Sequence, residues 1–259
     1  MNGLSDANKR SQFLLFLKNL KSDIYFLQET HAVSRLPEWE GLSFFKSGTN
    51  LSCGVAVLFQ PGFKPKILDV KRDFDGRLIS IKLSFQNQIF TLLNIYAPNI
   101  PARRKEFFAN LHSFFFSGSQ LCIDGDFNCI MSDLDKQGGN IDIGFDGKEE
   151  IISLMKDFHM LDFWRSKNPT TRTYSWHNAD FSIACRLDRF LISKSLVKFT
   201  RSCEYLVCPH SDHDCVVLKV GSYSFRKRNL WKFDNTLLRD SDFCEQIKNL
   251  FSIWNNRID

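Results

Sequence analysis

The stretch LISIKLSFQNQIFTLLNIYAPN, residues 78–99, contains two apolar runs, LISIKL at 78–83 and IFTLLNIY at 89–96. The first run alternates strictly, and both are rich in β-branched residues, which is typical of β-strands. A third run of the same kind, GVAVLF, lies upstream at residues 54–59. Three successive strands predict an antiparallel meander.

Segments with helical spacing of their apolar residues lie on both sides of this meander. Helices are predicted at residues 7–20, after Pro101 and at about 146–158, and short strands at 23–28, 121–123, 186–192, 205–207 and 215–220. Strands that alternate with helices indicate a layered α/β sandwich. We expect one domain over residues 1–220, with a boundary near Val220.

The composition is that of a globular protein, since 43% of the 259 residues are hydrophobic and 24% are charged. The eight cysteines are scattered without a C-x-x-C pair, so neither a disulfide framework nor a zinc site is indicated. No apolar stretch reaches the roughly 18 residues of a membrane span, and the N-terminus lacks the apolar run of a signal peptide. We therefore expect an intracellular protein with no membrane partner.

The formal net charge of +5 is concentrated in basic clusters at residues 71–72, 103–105 and 226–228. Such clusters suit a phosphate backbone, although a single cluster is more often a solvated surface. Residues 221–259 start with a basic, irregular segment and continue with an amphipathic pattern from Leu237 to Trp254. This part is too short for a second domain. We therefore expect residues 221–259 to be a basic linker and the start of a further region of a longer protein.

Acidic and polar residues stand where several predicted strands end. Glu29 follows the strand at 23–28, Asp126 and Asn128 follow the strand at 121–123, Asp188 lies within CRLDRF, and Asp212-His213 follows the strand at 205–207. Each of these residues alone is more often a turn or cap residue. Sites assemble at strand ends in α/β proteins, however. Three or four carboxylates in one pocket would repel one another, and a cation that prefers oxygen ligands, Mg²⁺ with Mn²⁺ as a substitute, would relieve this.

Five motifs in the chain resemble those of the endonuclease/exonuclease/phosphatase superfamily, in the family's order. They are QET at 28–30, NIYAPN at 94–99, GDFN at 125–128, RLDRF at 186–190 and SDH at 211–213. The resemblance implies a DNase I-like fold, which is a four-layered α/β sandwich of two mixed, mainly antiparallel sheets flanked by helices. It covers nearly all of residues 2–220.

Within the superfamily the chain is similar to the AP-endonuclease-like domain of LINE-type (non-LTR) retrotransposons. The segments that carry this resemblance are QETH at 28–31, LDFWR at 161–165 and LDRFLIS at 187–193. The segment LWKFDNTLLRDSDF at 230–243 resembles the region that follows the endonuclease in such polyproteins, ahead of a reverse transcriptase. The resemblance implies DNA as the substrate and a nuclear site of action on genomic DNA.

The resemblance assigns a role to each residue that matches a motif. The implied catalytic residues are Tyr96, Asp126, Asn128, Asp188 and His213; the implied metal ligands are Glu29, Asp212 and Asn2; and the implied substrate-binding residues are Ser175, Asn99, His177 and Asn178. Residues 177–183 are expected to touch DNA, with an ordinary surface hairpin as the equal alternative.

Two of these roles also have a physical argument. A cationic imidazole at His213 would stabilise the charge that gathers on the phosphoryl oxygens, and a carboxylate partner, for which Asp188 is the candidate, would favour that cation. Tyr96 can donate a hydrogen bond to a non-bridging phosphate oxygen. Asp126 is implied to orient or deprotonate the attacking water, and Asn128 to position both.

The implied reaction is in-line hydrolysis of a DNA phosphodiester that leaves a 3′-hydroxyl for reverse transcription. The family's first strand ends in an Asn-containing motif, of which only Asn2-Gly3-Leu4 is present. We therefore expect that the first strand is missing and that the chain is weakly active or inactive. Two alternatives remain: a phosphoesterase of the same superfamily that acts on inositol phosphates or lipids, and an inactive relic that only binds DNA.

Overall fold

A computed structural model describes residues 3–49, 51–140, 144–221 and 241–255, with side chains as far as residue 248. The packing of the chain divides it into two compact units, Met1–Gly221 and Ser222–Asp259. The helices are α1 (Ala7–Leu20), α2 (Pro101–Asn110), α3 (Lys148–Asp157) and α4 (Phe163–Lys167) in the first unit and α5 (Ser241–Asn255) in the second. The predicted basic cluster at 226–228 and most of the segment 230–243 lie outside the described residues.

The first unit contains all the described strands. They are β1 (Ile24–Gln28), β2 (Ser43–Lys46), β3 (Val55–Phe59), β4 (Lys66–Arg72), β5 (Leu78–Phe85), β6 (Gln88–Tyr96), β7 (Gln120–Asp126), β8 (Lys136–Gln137), β9 (Met160–Asp162), β10 (Trp176–His177), β11 (Ala184–Cys185), β12 (Asp188–Ser193), β13 (Thr200–Leu206) and β14 (Cys215–Val220).

The largest sheet has six strands in the order β4-β5-β6-β7-β12-β9. The predicted three-stranded meander is wrong in its first strand. β5 and β6 do pair antiparallel from Leu78↔Ile95 to Phe85↔Gln88, but the run at 54–59 is β3, which pairs with β1 and β2 in another sheet, and β4 takes its place beside β5. Strands β6 and β7 are parallel, joined through α2, whereas β12 is antiparallel to β7. A three-stranded antiparallel sheet, β1-β3-β2, and the hairpin β13-β14 are separate sheets that pack against the same apolar cluster as the large sheet, and β10-β11-β8 form a further small sheet.

Three apolar clusters hold the layers together. The central cluster lies between the sheets and includes Val57, Ile81, Phe190 and Ile192, with Val216 of β14 packed against it. A second cluster lies under α2 and α3, and a third lies under α1. The order helix, sheet, sheet, helix confirms the predicted four-layered α/β sandwich.

The N-terminal edge bears on the predicted loss of a first strand. Among the described strands, β1 pairs with β3 alone and so lies at one end of its sheet. The chain before α1 runs beside the end of β1, where Gly3 N–H donates to the carbonyl oxygen of Glu29 at 3.0 Å. Asn2 itself lies outside the described residues, and the missing strand stays a prediction.

The structure corrects the expectation for two of the basic clusters. Arg104 is buried, and its guanidinium donates to the backbone carbonyls of Pro98, Asn99 and Asp146. Lys71 Nζ donates to the carbonyls of Ser113 and Phe115. These two cations bind backbone carbonyls and tie the fold together, whereas Arg103 and Lys105 of the second cluster are exposed.

Candidate active site

Five predicted site residues lie in one row where neighbouring strands end. Tyr96, the last residue of β6, is the register partner of Asp126 in β7, and Asp126 is in turn the partner of Asp188 in β12. At one end of the row, Tyr96 Oη donates to Glu29 Oε1 at 2.6 Å. At the other end, His213 Nδ1 lies 2.8 Å from Asp188 Oδ2. Residues far apart in the chain are therefore adjacent, as their positions after strands predict.

The His213–Asp188 pair is arranged to keep the imidazole charged. Burial by itself would lower the pKa of His213, but the charge of Asp188, its hydrogen bond and the charge of Asp126 raise the pKa to about 9. An imidazole with that pKa is a cation at neutral pH. The predicted pairing is found, and it supplies a positive charge at the edge of the row.

Asp126 lies deeper than its neighbours, and its surroundings favour its neutral form. Burial, followed by the charge of Asp188, raises the pKa of Asp126 to about 7. Its Oδ1 accepts the backbone N–H of Asn128 at 2.8 Å, and the Asn128 amide donates to the carbonyl of Ala97 at 2.9 Å. A carboxyl with a pKa near the working pH can accept a proton and release it again.

Glu29 and Tyr96 form the opposite end of the row. Burial and the hydrogen bond to Glu29 raise the pKa of Tyr96, so its phenol keeps its proton and acts as a donor. In this structure it donates to Glu29, and a hydroxyl has only one proton to donate. Glu29 has a φ of 56°, in the left-handed region that L-residues other than glycine disfavour by roughly 1–2 kcal/mol.

Residues without a predicted role hold this end of the row in place. Gln28 Nε2 donates to Asn94 Oδ1 at 2.7 Å, and the buried amide of Asn94 donates to the carbonyls of Leu27 and Ala56. Arg77 donates to the carbonyl of Tyr96 at 3.1 Å, and its guanidinium lies over the Tyr96 ring. Gln28 and Asn94 lie in the motifs QET and NIYAPN, so their positions in the sequence could have indicated that they belong to the site. Arg77 lies in none of the motifs, and the sequence did not point to it.

The predicted carboxylates do not surround one point. Within the described parts of the chain, no group of three or more His, Cys, Asp or Glu side chains is placed to hold a metal ion. Asp188 is paired with His213, and Asp212 is exposed and accepts the indole N–H of Trp176 at 3.2 Å. Glu29 is the half-buried carboxylate at the open end of the row. One carboxylate with water and substrate phosphate suits Mg²⁺, which keeps much of its hydration in proteins.

Ser175 is fully buried, and its hydroxyl supports β12. Its Oγ accepts the backbone N–H groups of Leu187 at 2.9 Å and Asp188 at 3.0 Å. Its carbonyl accepts the N–H of Asp214, next to His213. Ser175 thus links the two segments that carry Asp188 and His213, while its predicted phosphate contact stays a prediction.

The remaining predicted substrate-binding residues lie beside the row. Asn99 is exposed just beyond β6. Residues 177–183 form the expected hairpin between β10 and β11, and the Asn178 side chain shapes it by accepting from Ile183 N and donating to Ser182 Oγ. The ring of His177 packs against that of Phe181, which is 76% exposed at the tip. Whether this hairpin touches DNA stays a prediction.

A buried ionic cluster behind the row was not predicted. Asp135 is fully buried and accepts from Arg186 Nε at 2.7 Å and Arg165 Nη2 at 2.6 Å. Arg186 also donates to Asp162 Oδ2 at 2.7 Å. Burial alone would raise the pKa of Asp135, but Arg189 and Arg186 hold it well below its usual range. The first arginine of RLDRF and the arginine of LDFWR therefore meet at one buried carboxylate, Asp135.

An acid–base carboxyl, a charged imidazole and a half-buried carboxylate at the edge of a four-layered sandwich are typical of hydrolases that cleave phosphate esters. The sequence matches the Endonuclease/Exonuclease/phosphatase family over residues 1–213. The chain belongs to this family, as its motifs predicted.

One relative is the Transposon TX1 uncharacterized 149 kDa protein of Xenopus laevis, which is 32% identical over 265 residues. The match covers 98% of this chain and 20% of that protein, so the chain spans about a fifth of its relative.

Two solved structures share the fold. An AP endonuclease from Archaeoglobus fulgidus is 20% identical with a TM-score of 0.69, and the match covers 85% of this chain and 96% of that one. The 3′ phosphatase NExo from Neisseria, bound to a product DNA hairpin, is 17% identical with a TM-score of 0.63 over 85% and 96% of the two chains. At these identities the likeness concerns the fold. No described helix of our chain is both long and apolar enough to cross a membrane.

Proposed function

We propose that this chain is a Mg²⁺-dependent endonuclease domain of a LINE-type retrotransposon polyprotein, which nicks DNA and leaves a 3′-hydroxyl. The observation that carries the proposal is the continuous row from Glu29 through Tyr96, Asp126 and Asp188 to His213. The similarity to a transposon protein five times as long supports a larger polyprotein, with a reverse transcriptase as the partner that extends the nick. The site of action on genomic DNA is then the nucleus.

The row supplies the groups that hydrolysis of a phosphodiester needs. The His213 cation donates to a phosphoryl oxygen and stabilises the negative charge that develops there. Asp126, held by Asn128 N–H, takes the proton of the attacking water as its oxygen bonds to phosphorus; the P–O3′ bond breaks, and the leaving 3′-oxygen takes up a proton from solvent. Glu29 would hold Mg²⁺, with Mn²⁺ as a substitute, and a bound ion of this kind acts as a Lewis acid on the phosphate. Tyr96 orients the Glu29 carboxylate through its phenol.

Duplex DNA is the substrate that the surroundings of the row favour. The hairpin at 177–183 starts from Trp176, which pairs with His213 and bonds to Asp212. The hairpin therefore starts next to His213, and its tip carries the exposed ring of Phe181. Apolar side chains of this kind contact sugars and bases in the minor groove.

The test is conversion of supercoiled plasmid to the nicked form by the purified chain. We expect nicking with Mg²⁺ or Mn²⁺ and none in EDTA, and Glu29→Ala is expected to lower the rate by at least about 10²-fold, as loss of a group that acts in the transition state does. Glu40→Ala, which removes an exposed carboxylate from the same part of the chain, is the control.

Two other outcomes would overturn the proposal. Release of phosphate from inositol phosphates, without nicking, would indicate a phosphomonoesterase. Binding of plasmid DNA in EDTA, seen as slower migration in a gel, with no nicking under any metal condition, would indicate a DNA-binding relic.

A further inference from the structure

Phe74 is the most exposed aromatic side chain among those that the structure describes, at 94%. It lies in the turn between β4 and β5. Single apolar residues are common on protein surfaces, so exposure alone does not assign a role to this ring. Three further observations do assign one: the rigid turn that carries the ring, the position of that turn beside the row, and a lysine next to the ring.

The turn that carries Phe74 is held in one conformation. The Asp73 carboxylate accepts the backbone N–H groups of Arg77 and Leu78, each at 3.0 Å. Gly76 has a φ of 76°, and its carbonyl accepts the N–H of Gly54 at 2.8 Å. A ring on a preformed turn loses little conformational freedom when it binds a ligand.

The turn lies at the same edge of the sheet as the catalytic row. Arg77 is bonded to Tyr96 and packs on its ring. Phe74 is three residues from Arg77 in the sequence, so their Cα atoms are at most about 11 Å apart. In the order β5-β6-β7-β12, the turn precedes β5 and Asp188 opens β12. Three strand spacings separate β5 from β12, a distance of about 14 Å.

A cation accompanies the ring. Lys46 Nζ lies 5.7 Å from the centroid of the Phe74 ring. Lys46 ends β2 in a row of register partners, Gln28↔Val55↔Lys46, that leads to the strand before Glu29. The ring and the ammonium thus stand on the Glu29 side, whereas the hairpin with Phe181 stands on the His213 side. In a nucleic acid, each phosphate lies beside a sugar and a base. The Lys46 ammonium can therefore pair with a phosphate while the Phe74 ring contacts the adjoining sugar and base.

We propose that Phe74 and Lys46 form a second duplex-DNA contact, on the side of the scissile phosphate opposite to the hairpin at 177–183. This inference rests on the proposed endonuclease function and adds a specificity contact to the same site. The duplex is then held by an aromatic side chain on each flank of the nick.

Hydroxyl-radical footprinting on a duplex that contains a mapped nick site tests the proposal. The full chain is bound in EDTA, so that the DNA stays intact. Phe74→Ala is expected to lose protection on one flank and to raise the Kd about tenfold, because it removes one apolar contact with the sugars and base edges of the duplex. Phe181→Ala is expected to lose protection on the other flank, and Phe74→Trp is expected to keep the wild-type footprint.

The matched control is Ile152→Ala, an exposed apolar residue of α3 whose helix packs on the other face of the six-stranded sheet. It is expected to leave the footprint and Kd unchanged. Thermal melting should show that all variants fold, since Phe74 is almost entirely in solvent. An unchanged footprint for Phe74→Ala beside Mg²⁺-dependent nicking by the wild type would overturn this inference alone. Absence of wild-type nicking would overturn the proposed function and the inference with it.

Discussion

Two ion pairs lie next to each other at the start of β12 and serve opposite purposes. Arg186 and Asp135 are both fully buried, whereas His213 and Asp188 keep 22% and 11% of their side-chain surface exposed. A guanidinium does not lose its proton in a protein, but an imidazole can. The inner pair, Arg186–Asp135, is therefore a fixed support for the strand, whereas the outer pair, His213–Asp188, can change its charge.

The largest expected effect concerns the inner pair. Asp135→Asn removes the carboxylate that pairs with both Arg186 and Arg165 and leaves Asp162 as the remaining partner of Arg186, and breaking a buried pair destabilises a protein by roughly 3–5 kcal/mol. Urea unfolding followed by fluorescence measures this loss. Asp133→Asn, at an exposed position in the same turn, is the control. A loss for Asp135→Asn no larger than that of the control would mean that the inner pair is not a support.

The outer pair should show the opposite result, a large loss of activity with a small loss of stability. His213→Ala is expected to lower Mg²⁺-dependent nicking by at least about 10²-fold, because it removes the cation that stabilises the transition state. His112→Ala, an exposed histidine outside the row, should nick at the wild-type rate. Nicking by His213→Ala at the wild-type rate would exclude His213 from the site.

The smallest effect is a shift of one titration. The imidazole of His213 should titrate near its pKa of about 9 in the metal-free protein, and in Asp188→Asn it should titrate closer to the ordinary value of about 6.5. Because the pKa is raised on folding, the pair contributes stability fully below pH ~6.5, and this contribution is lost as the pH rises through about 9. NMR of the imidazole protons measures both values. The same pKa of His213 in the wild type and in Asp188→Asn would show that Asp188 does not stabilise the positive charge of the imidazole.

The sequence predicted the row because each of its members directly follows or lies in an apolar strand within a recognisable motif. It did not predict the inner ion pair, since Asp135 and Arg186 are 51 residues apart and neither residue alone indicates a partner. Strand β4 was missed because its sequence, KILDVKR, does not alternate apolar and polar residues, and most of its side chains are exposed or half-buried in the fold. The basic cluster at 103–105 was misleading, since charge along a chain does not reveal that Arg104 turns inward to three carbonyls.

The left-handed backbone of Glu29 bears on how such a chain changes over generations. Glycine at this position would remove the backbone strain, and asparagine would reduce it, so selection for folding alone favours replacement of the glutamate. Either replacement would also leave the Tyr96 phenol without the carboxylate that accepts its proton, however. Backbone strain and a side-chain hydrogen bond therefore act in opposite directions at this one position, and a carboxylate is kept here at the cost of local strain.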